Sequence, residues 1–151
     1  MHQGNPIDRF TCVIDSALRD LIRVRNSSIG RGVFARRRIR RGQIIGEVRG
    51  ASVRELSEDD QYYIALGPRV TLDPEPPFRF LNHSCQPNCA LMLQRRSDRV
   101  PRLFVEALRT IHIGEELRND YKWPAEGAVR CRCRAPLCRG WIVDRSELHK
   151  L

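Results

Sequence analysis

Glycine and proline divide this chain into apolar runs that are too short to build long helices. Between residues 21 and 107 these runs are LIRVR, GVFA, QIIGEV, YYIAL, VTL, CALML and RLFVEA, with turn-forming residues between them. Short β-type runs bounded by glycine, proline, serine or aspartate indicate strands joined by tight turns. PEPP at 74–77 also disfavours a helix, because proline lacks the amide donor and its ring clashes with the preceding turn. The sequence therefore predicts an irregular, mainly β domain.

Individual segments give more specific expectations. LIRVRNSSIGRGVFA predicts two strands around a serine–glycine turn, and QYYIALGPRVTLD predicts a hairpin around Gly67 and Pro68. CALMLQ and PRLFVEALRTI predict two more strands joined by a polar turn. SVRELSEDDQ favours one helical turn, capped by Ser52, or a loop, and GEELRND favours a short helix or a turn. The few helices expected are therefore short.

Length and hydropathy bound the class of protein. A chain of 151 residues suits one domain, or one domain with a small appendage, and 41% hydrophobic residues agree with a globular protein. No apolar run approaches the ~20 residues of a membrane helix, and MHQGNPIDRFTC lacks the pattern of a signal peptide. We therefore expect no membrane contact and an intracellular protein, in the nucleus or on chromatin in a eukaryote and in the cytoplasm of a bacterium.

Arginine gives the chain a formal net charge of +9, since Lys122 and Lys150 are its only lysines. A basic face attracts nucleic acid or another polyanion, whereas the same arginines spread over a solvated surface serve no particular partner. The interspersed acidic residues favour the second explanation, and the dense run RGVFARRRIRRGQ favours a local basic edge. Nucleic-acid contact through this surface is therefore an expectation that stays open.

The chain ends in a short, basic, cysteine-rich tail that cannot bury a core of its own and needs a staple. Its C-x-C-x4-C pattern supplies three thiols, from Cys131, Cys133 and Cys138. In a reducing compartment such a cluster more often binds metal than forms disulfides, and structural zinc takes four ligands. The alternatives are free thiols on a frayed tail and an isolated zinc knuckle for nucleic acid. Candidates for the fourth ligand are a histidine and the other cysteines, which are Cys12, Cys85 and Cys89.

Three separated motifs are weak evidence of function singly and specific evidence as a set. They are IGRGVFA at 29–35, RFLNHSCQPN at 79–88 and GEELRNDYKW at 114–123. Alone, each is modest, because a Gly-x-Gly pair occurs by chance and Asn-His-Ser is by default a capped turn. In this order, and followed by the cysteine cluster, the set closely resembles the SET-domain family of protein lysine methyltransferases with its zinc-binding post-SET segment.

The resemblance covers roughly residues 20–143 and carries clear expectations. It implies the SET-domain (β-clip) fold, with small curved sheets, few short helices and a C-terminal pseudoknot that brings the last motif beside Asn-His. It divides the chain into an N-terminal lead-in at 1–20, a SET domain at 21–123 and a post-SET segment with the tail at 124–151. It also implies S-adenosylmethionine as methyl donor, one structural zinc ion, and a lysine-containing protein substrate such as a histone tail.

The resemblance further implies the residues of the site. Tyr121 matches the catalytic tyrosine, Trp141 matches an aromatic position of the target-lysine channel, and Cys85 matches the fourth zinc ligand beside Cys131, Cys133 and Cys138. Cys89 is expected to be a small buried core residue. The positions that match cofactor-binding residues are Ile29, Gly30, Arg31, Gly32, Tyr62 (with Tyr63 as the other choice), Arg79, Phe80, Asn82, His83 and Tyr121.

The implied reaction is an in-line attack of a neutral lysine amine on a sulfonium methyl group. A free lysine has a pKa near 10.4, so an apolar channel is needed to lower it. Tyr121 is expected to orient the reacting groups and not to act as an obligate base, because a phenolate is scarce at neutral pH. Many members carry Phe or Tyr where this chain has Asn119, which leaves the number of methyl groups open. Acidity for a basic substrate is expected from Asp73, Glu115, Glu116 and Asp120.

Two rival functions stay open on the sequence. One is a catalytically silent SET-like module that binds a peptide or chromatin, for which Asn119 is the only support. The other is a zinc-dependent nucleic-acid-binding protein, motivated by the basic charge and the tail. Binding of S-adenosylmethionine would separate the first of these, and the enzyme, from the second.

Overall fold

Short strands dominate the part of the chain that the computed structural model describes, which is residues 16–53, 62–95, 97 and 100–151. Three 3-10 helices and a helical stretch at 16–21 accompany them, and no helix among these residues is long and apolar enough to cross a membrane. This content confirms the mainly β fold class with few short helices. The strands are β1 (Ile22–Ser27), β2 (Gly30–Ala35), β3 (Ile44–Glu47), β4 (Gly50–Val53), β5 (Ile64–Gly67), β6 (Val70–Pro74), β7 (Asn82–His83), β8 (Cys89–Gln94), β9 (Arg102–Ala107), β10 (Glu116–Asn119), β11 (Val129–Arg130) and β12 (Trp141–Ile142). The 3-10 helices are Phe78–Phe80, Ala125–Gly127 and Arg145–Lys150.

The predicted hairpins form as expected. β1 and β2 pair antiparallel from Ile22↔Ala35 to Ser27↔Gly30, β5 pairs with β6, and β8 pairs with β9. The prediction of a helical cap at Ser52 is wrong, because Ser52 lies inside β4 and faces Leu72 of β6. The remainder of that predicted turn, at 54–61, lies outside the described residues.

The position of β10 organises the largest sheet, whose strand order is β1-β2-β10-β7. β10 runs antiparallel to β2 and parallel to β7, with Arg118 opposite Asn82 and Asn119 opposite His83. GEELRND thus contains a strand where the sequence favoured a helix or a turn. Because β2 begins with the glycine motif and β7 is the Asn-His pair, β10 brings three distant motifs to one place.

Side-chain and backbone hydrogen bonds explain why this segment is a strand. The Asn88 side chain accepts from the Arg118 amide at 2.8 Å and donates to the Glu116 carbonyl at 2.8 Å. It thus bonds to the backbone of β10 as a neighbouring strand would. The Ser84 amide donates to the Asn119 carbonyl at 2.9 Å. With both edges bonded, alternate side chains of β10 point inward, where Leu117 is completely buried.

The core lies between these sheets and is built by the same alternation. Ile39 and Ile111 exchange two backbone hydrogen bonds of 2.9 Å and are both completely buried, which ties the β2–β3 connection to the segment before β10. Apolar side chains from β2, β9 and β10 meet in this core. The main contributors are Val33, Ala35, Leu103, Val105, Ala107 and Leu117.

Candidate active site and cysteine cluster

Tyr121 follows β10 directly and is held at three points. Its amide donates to Nδ1 of His83 at 3.1 Å, and its hydroxyl donates to the Leu81 carbonyl at 2.9 Å. Its ring meets the His83 ring edge-on with the centroids 5.3 Å apart, and the Trp123 ring also lies at 5.3 Å. The structure therefore brings Tyr121 against the Asn-His motif, as the sequence resemblance predicts.

His83 is a buried, neutral imidazole in this arrangement. Burial lowers its pKa to about 4, although the nearby Asp120 carboxylate acts in the opposite direction. Since Nδ1 accepts from the Tyr121 amide, the ring proton resides on Nε2, which lies 3.4 Å from the Cys85 sulfur. His83 thus uses both nitrogens to fix neighbouring segments.

Burial, with smaller contributions from Tyr62 and Glu116, raises the pKa of Tyr121 to about 12. The hydroxyl is therefore a neutral donor at physiological pH and is engaged with a carbonyl. This excludes a stable phenolate base and leaves Tyr121 as a rigid, hydrogen-bonded ring.

Stability should consequently fall at high pH through Tyr121. The folded-state pKa of about 12 exceeds the ordinary tyrosine pKa of 10.0, so the contribution to stability is complete below pH 10 and is lost as pH rises through 12. Two pKa units correspond to about 3 kcal/mol. We expect the stability difference between wild type and Tyr121→Phe to shrink over this range, as measured by denaturant unfolding on both sides of pH 10. A stability difference that stays constant across this pH range would show that folding does not raise the pKa of Tyr121.

Asn82 joins the Asn-His motif to the glycine loop. Its side-chain amide donates to the Arg31 carbonyl and to the Glu116 carboxylate, both at 2.8 Å. The Arg31 guanidinium lies over the Phe80 ring, 4.6 Å from its centroid. The predicted residues Arg31, Phe80 and Asn82 therefore form one continuous surface, which we call the loop face.

The two glycines of the loop are required for different reasons. Gly30 has a φ of +114°, which L side chains rarely adopt, and the space where its Cβ would stand is open within 4 Å. A Cβ on Gly32 would collide with the Glu116 carboxylate. The open side of the loop is thus at Gly30, next to the exposed Ile29, while Gly32 faces the interior of the sheet.

An apolar cavity of about 350 Å³ opens beside Tyr121. Among the predicted residues, Tyr62, Arg79 and Tyr121 line it, and Tyr63 does so too. Arg79 bonds to Asp73 and lies 4.3 Å from the centroid of the Tyr62 ring. Sequence reasoning missed several lining residues, of which Trp123 had a usable signal, because it follows the DY motif by two positions. The other lining residues are Val48, Ile64, Ala65, Pro74, Phe78, Leu81, Leu91, Asn119, Lys122, Trp123 and Pro124.

Asn119 forms part of the cavity wall with an unusual polar atom. The residue is 5% exposed, and its Oδ1 is buried without a hydrogen-bond partner among the described residues. A buried amide oxygen of this kind costs free energy unless a donor arrives. Asn119 therefore places a small polar side chain with an unpartnered oxygen at this position of the wall.

The acidic residues expected to attract a basic substrate are paired with arginines. Asp73 bonds to Arg79, Glu115 to Arg109 at 3.0 Å, Glu116 to Arg118 at 2.5 Å and Asp120 to Arg139 at 2.7 Å. Each carboxylate is therefore largely neutralised by its partner. The expectation that these four residues make the groove acidic is wrong.

Four cysteines meet where the tail returns to the domain. The sulfurs of Cys85, Cys131, Cys133 and Cys138 all lie within 4.8 Å of one another. Cys85 lies 3.7 Å from Cys131 and 3.9 Å from Cys138, close to the ~3.8 Å edge of a tetrahedron with zinc–sulfur bonds of 2.3 Å. Donor type, number and spacing fit a closed structural zinc site.

The thiols of this cluster differ in the direction in which their pKa values are shifted. Burial raises the pKa of Cys85 and of Cys131, whereas at Cys133 amide donors and the neighbouring thiols outweigh burial and lower the pKa to about 6. The cluster thus favours one thiolate by itself, and a divalent cation is what would allow all four to ionise. Cys89 stands apart, completely buried, with its pKa raised to about 12 by burial, which confirms the expected core position. Cys12 lies outside the described residues.

Two arginines fasten the tail to the strand that precedes Tyr121. Arg139 makes a two-pronged ion pair with Asp120, at 2.7 and 2.8 Å, and is 6% exposed in its side chain. Arg118 donates to the Cys133 carbonyl at 3.0 Å. Trp141 lies under the Arg130 guanidinium at 4.1 Å and is not among the described residues that line the cavity, so its place in a substrate channel stays a prediction.

The fold and this site define a small β domain whose polar motifs converge on one buried tyrosine next to a four-cysteine tail. The sequence model of the SET domain matches residues 30–122. The chain therefore belongs to the SET-domain family.

Curated relatives carry methyltransferase names. The chain is 32% identical to human histone-lysine N-methyltransferase 2B over 82% of its length, and 32% identical to the H3 lysine-4 specific histone-lysine N-methyltransferase of Schizosaccharomyces pombe over 74%. It is 35% identical over 75% to the probable histone-lysine N-methyltransferase set-23 of Caenorhabditis elegans. The chain spans 5%, 14% and 55% of the lengths of these three proteins, respectively.

Proposed function

We propose that this chain is an S-adenosylmethionine-dependent methyltransferase that acts on protein lysine side chains. The observation that carries the proposal is the position of Tyr121. Its amide is bonded to His83 beside Asn82, and its ring lines the apolar cavity. A residue that touches both the Asn-His motif and the cavity wall can align two bound molecules, and the transfer of a group between them depends on that alignment.

The loop face is the proposed cofactor site. Gly30 leaves open space next to the exposed Ile29, Arg31 and Phe80 stack, and Asn82 fixes the Arg31 carbonyl. The other residues of the proposed cofactor site are Gly32, Tyr62, Arg79, His83 and Tyr121. When bound, S-adenosylmethionine supplies a methyl group on a positively charged sulfur.

The apolar cavity is the proposed lysine channel. Aromatic and aliphatic walls disfavour an ammonium ion and so lower the pKa of an amine that enters, which favours the neutral nucleophile. Tyr62, Tyr121 and Trp123 provide flat apolar contact for the methylene chain.

Tyr121 has an orienting role in this proposal. Its hydroxyl is held by Leu81 and its pKa is raised to about 12, so it keeps its proton at neutral pH. The released amine proton therefore leaves to solvent and not to Tyr121. Holding the ring fixed positions the incoming amine against the loop face.

The remaining assignments concern the domains, the metal and the substrate. We propose residues 21–123 as the SET domain and 124–151 as the post-SET segment, with a structural zinc ion on Cys85, Cys131, Cys133 and Cys138 and with Trp141 beside the substrate. A histone or histone-like tail is the proposed substrate, because the relatives that match most of this chain are named histone-lysine methyltransferases.

Calorimetric titration with S-adenosylmethionine, followed by transfer of labelled methyl groups to mixed histones, tests the function. Wild type should bind the donor and label lysine, as located by peptide mass. Asn82→Ala should weaken binding about tenfold, the equivalent of one lost hydrogen bond. The matched control Gln94→Ala, at the exposed end of β8, should bind like wild type. Binding without transfer to any protein lysine would indicate a silent module, and absence of binding would refute the proposal.

A further inference from the structure

The connection between β2 and β3 presents a dense group of exposed arginines at 36–41, which we call the arginine turn. Arg36 donates to the Arg19 carbonyl at 2.8 Å. Within the described part of the chain, the other four side chains make no hydrogen bond or ion pair. These four are Arg37, Arg38, Arg40 and Arg41. Four like charges at such density repel one another, so binding of an anionic partner that neutralises them is favourable.

The backbone of the arginine turn is firmly anchored. Ile39, at its centre, is completely buried and exchanges two hydrogen bonds of 2.9 Å with Ile111. The Gly42 amide donates to the Ala107 carbonyl at 2.8 Å, and Gln43 accepts from the Arg40 amide at 3.0 Å. Because Ile39 points inward, its neighbours Arg38 and Arg40 project outward from a fixed position. The arginines are therefore displayed without an ordering cost for the backbone.

The guanidinium groups of the arginine turn are suited to bind a polyphosphate. Outward residues two positions apart are about 6.6 Å apart in an extended chain, whereas duplex DNA carries a charge every ≈ 1.7 Å along its axis. Phosphates are thus spaced more closely than the arginines, so several guanidinium groups can each reach one, and guanidinium binds phosphate with paired hydrogen bonds. The formal net charge of +9 attracts the same polyanion over a longer range.

The arginine turn is separated from the proposed catalytic site by the length of β2. The glycine loop lies at the Gly30 end of that strand and the turn follows its Ala35 end, about 17 Å away for an extended strand. We propose that the arginine turn binds the phosphate backbone of duplex DNA without reading its sequence, and leaves the site beside Tyr121 accessible. This binding does not depend on the proposed methyl transfer.

Fluorescence anisotropy with a labelled duplex of random sequence, measured over a series of salt concentrations, tests the inference. Substituting Arg37, Arg38, Arg40 and Arg41 with glutamine should make the slope of log K against log salt shallower by about 3.6, from about 0.9 for each lost contact. The matched control substitutes four exposed arginines elsewhere, which are Arg23, Arg69, Arg95 and Arg145. Both variants remove four charges from the formal net charge of +9, so only position differs.

The two variants give distinct outcomes. A loss of slope in the turn variant, with little change in the control, supports the inference. Equal losses would show that net charge alone governs binding and would refute the inference, and so would absence of duplex binding by wild type at low salt.

Because Leu108 and Ile113 are exposed beside the turn, an acidic protein is the alternative partner. Competition by polyglutamate as strong as competition by duplex would reassign the arginine turn to an acidic protein. None of these measurements involves S-adenosylmethionine, so the proposed function is tested separately.

Discussion

Replacing Tyr121 with phenylalanine should lower the rate of methyl transfer about 100-fold, equivalent to about 2.7 kcal/mol of transition-state stabilisation. The hydroxyl is bonded to the Leu81 carbonyl at 2.9 Å, and this bond fixes the ring in the cavity wall. Without it the ring keeps its contacts with His83 and Trp123 but loses its third anchor. Small displacements of a positioning group have large effects on rate, because the reacting atoms must be aligned.

The expected loss is in kcat, with KM for the protein substrate changing much less. The phenylalanine ring still lines the cavity, so apolar contact with the substrate chain persists. Initial rates with labelled donor over a range of substrate concentrations separate the two parameters. The thermal midpoint and the zinc content of the variant serve as controls for folding. Full activity in a folded variant would show that the hydroxyl has no role in orienting the reactants.

The strands were predictable because their information is local. The hairpins β1–β2, β5–β6 and β8–β9 join neighbouring apolar runs across turn residues, so each pattern is contained in one short stretch, at 22–35, 64–74 and 89–107. β10 was not predictable as a strand, because its partners β2 and β7 lie far away in the sequence. The prediction of a helix cap at Ser52 failed for the same reason, because the pairing of Ser52 with β6 outweighs the preference of serine for a helix cap.

The candidate site divides in the same way. The motif residues could be named from the resemblance, and the structure places Asn82, His83 and Tyr121 in one network. The contacts that give the site its properties were not predictable, because they join segments far apart. The Leu81 carbonyl that holds Tyr121 and the unpartnered Asn119 oxygen are examples. The expectation of an acidic groove failed because the pairing of each carboxylate with an arginine depends on the folded arrangement.

Replacing Cys85 with serine should remove the bound metal and release the tail while the β core stays folded. Cys85 is the one cluster residue that the main domain contributes, whereas Cys131, Cys133 and Cys138 all belong to the tail. A serine hydroxyl is a poor zinc ligand at neutral pH, because it does not ionise as a thiol does. Methyl transfer should therefore fall more than stability does, since Trp141, which we propose lies beside the substrate, belongs to the tail.

Release of the tail should be incomplete in this variant, because the ion pair of Arg139 with Asp120 also fastens it. The pair is nearly buried, with side-chain exposures of 6% and 15%, so breaking it from one side is costly, about 3–5 kcal/mol. Asp120→Asn alone should therefore destabilise the tail by leaving the Arg139 charge buried. Combining Asp120→Asn with Cys85→Ser should free the tail, which trypsin would cut at the exposed Arg130, Arg132 and Arg134.

Metal analysis and limited proteolysis of the same samples measure both effects, and Cys89→Ser is the matched control. Cys89 lies four residues further along the same segment, is completely buried and stands outside the cluster. Its sulfur donates to the Arg118 carbonyl at 3.3 Å, a bond that serine can also make. Cys89→Ser should thus keep one zinc ion and a protected tail. Unchanged zinc in Cys85→Ser would exclude Cys85 as a ligand, and unfolding of the whole domain on chelation would make the cluster a staple of the core and not an anchor of the tail.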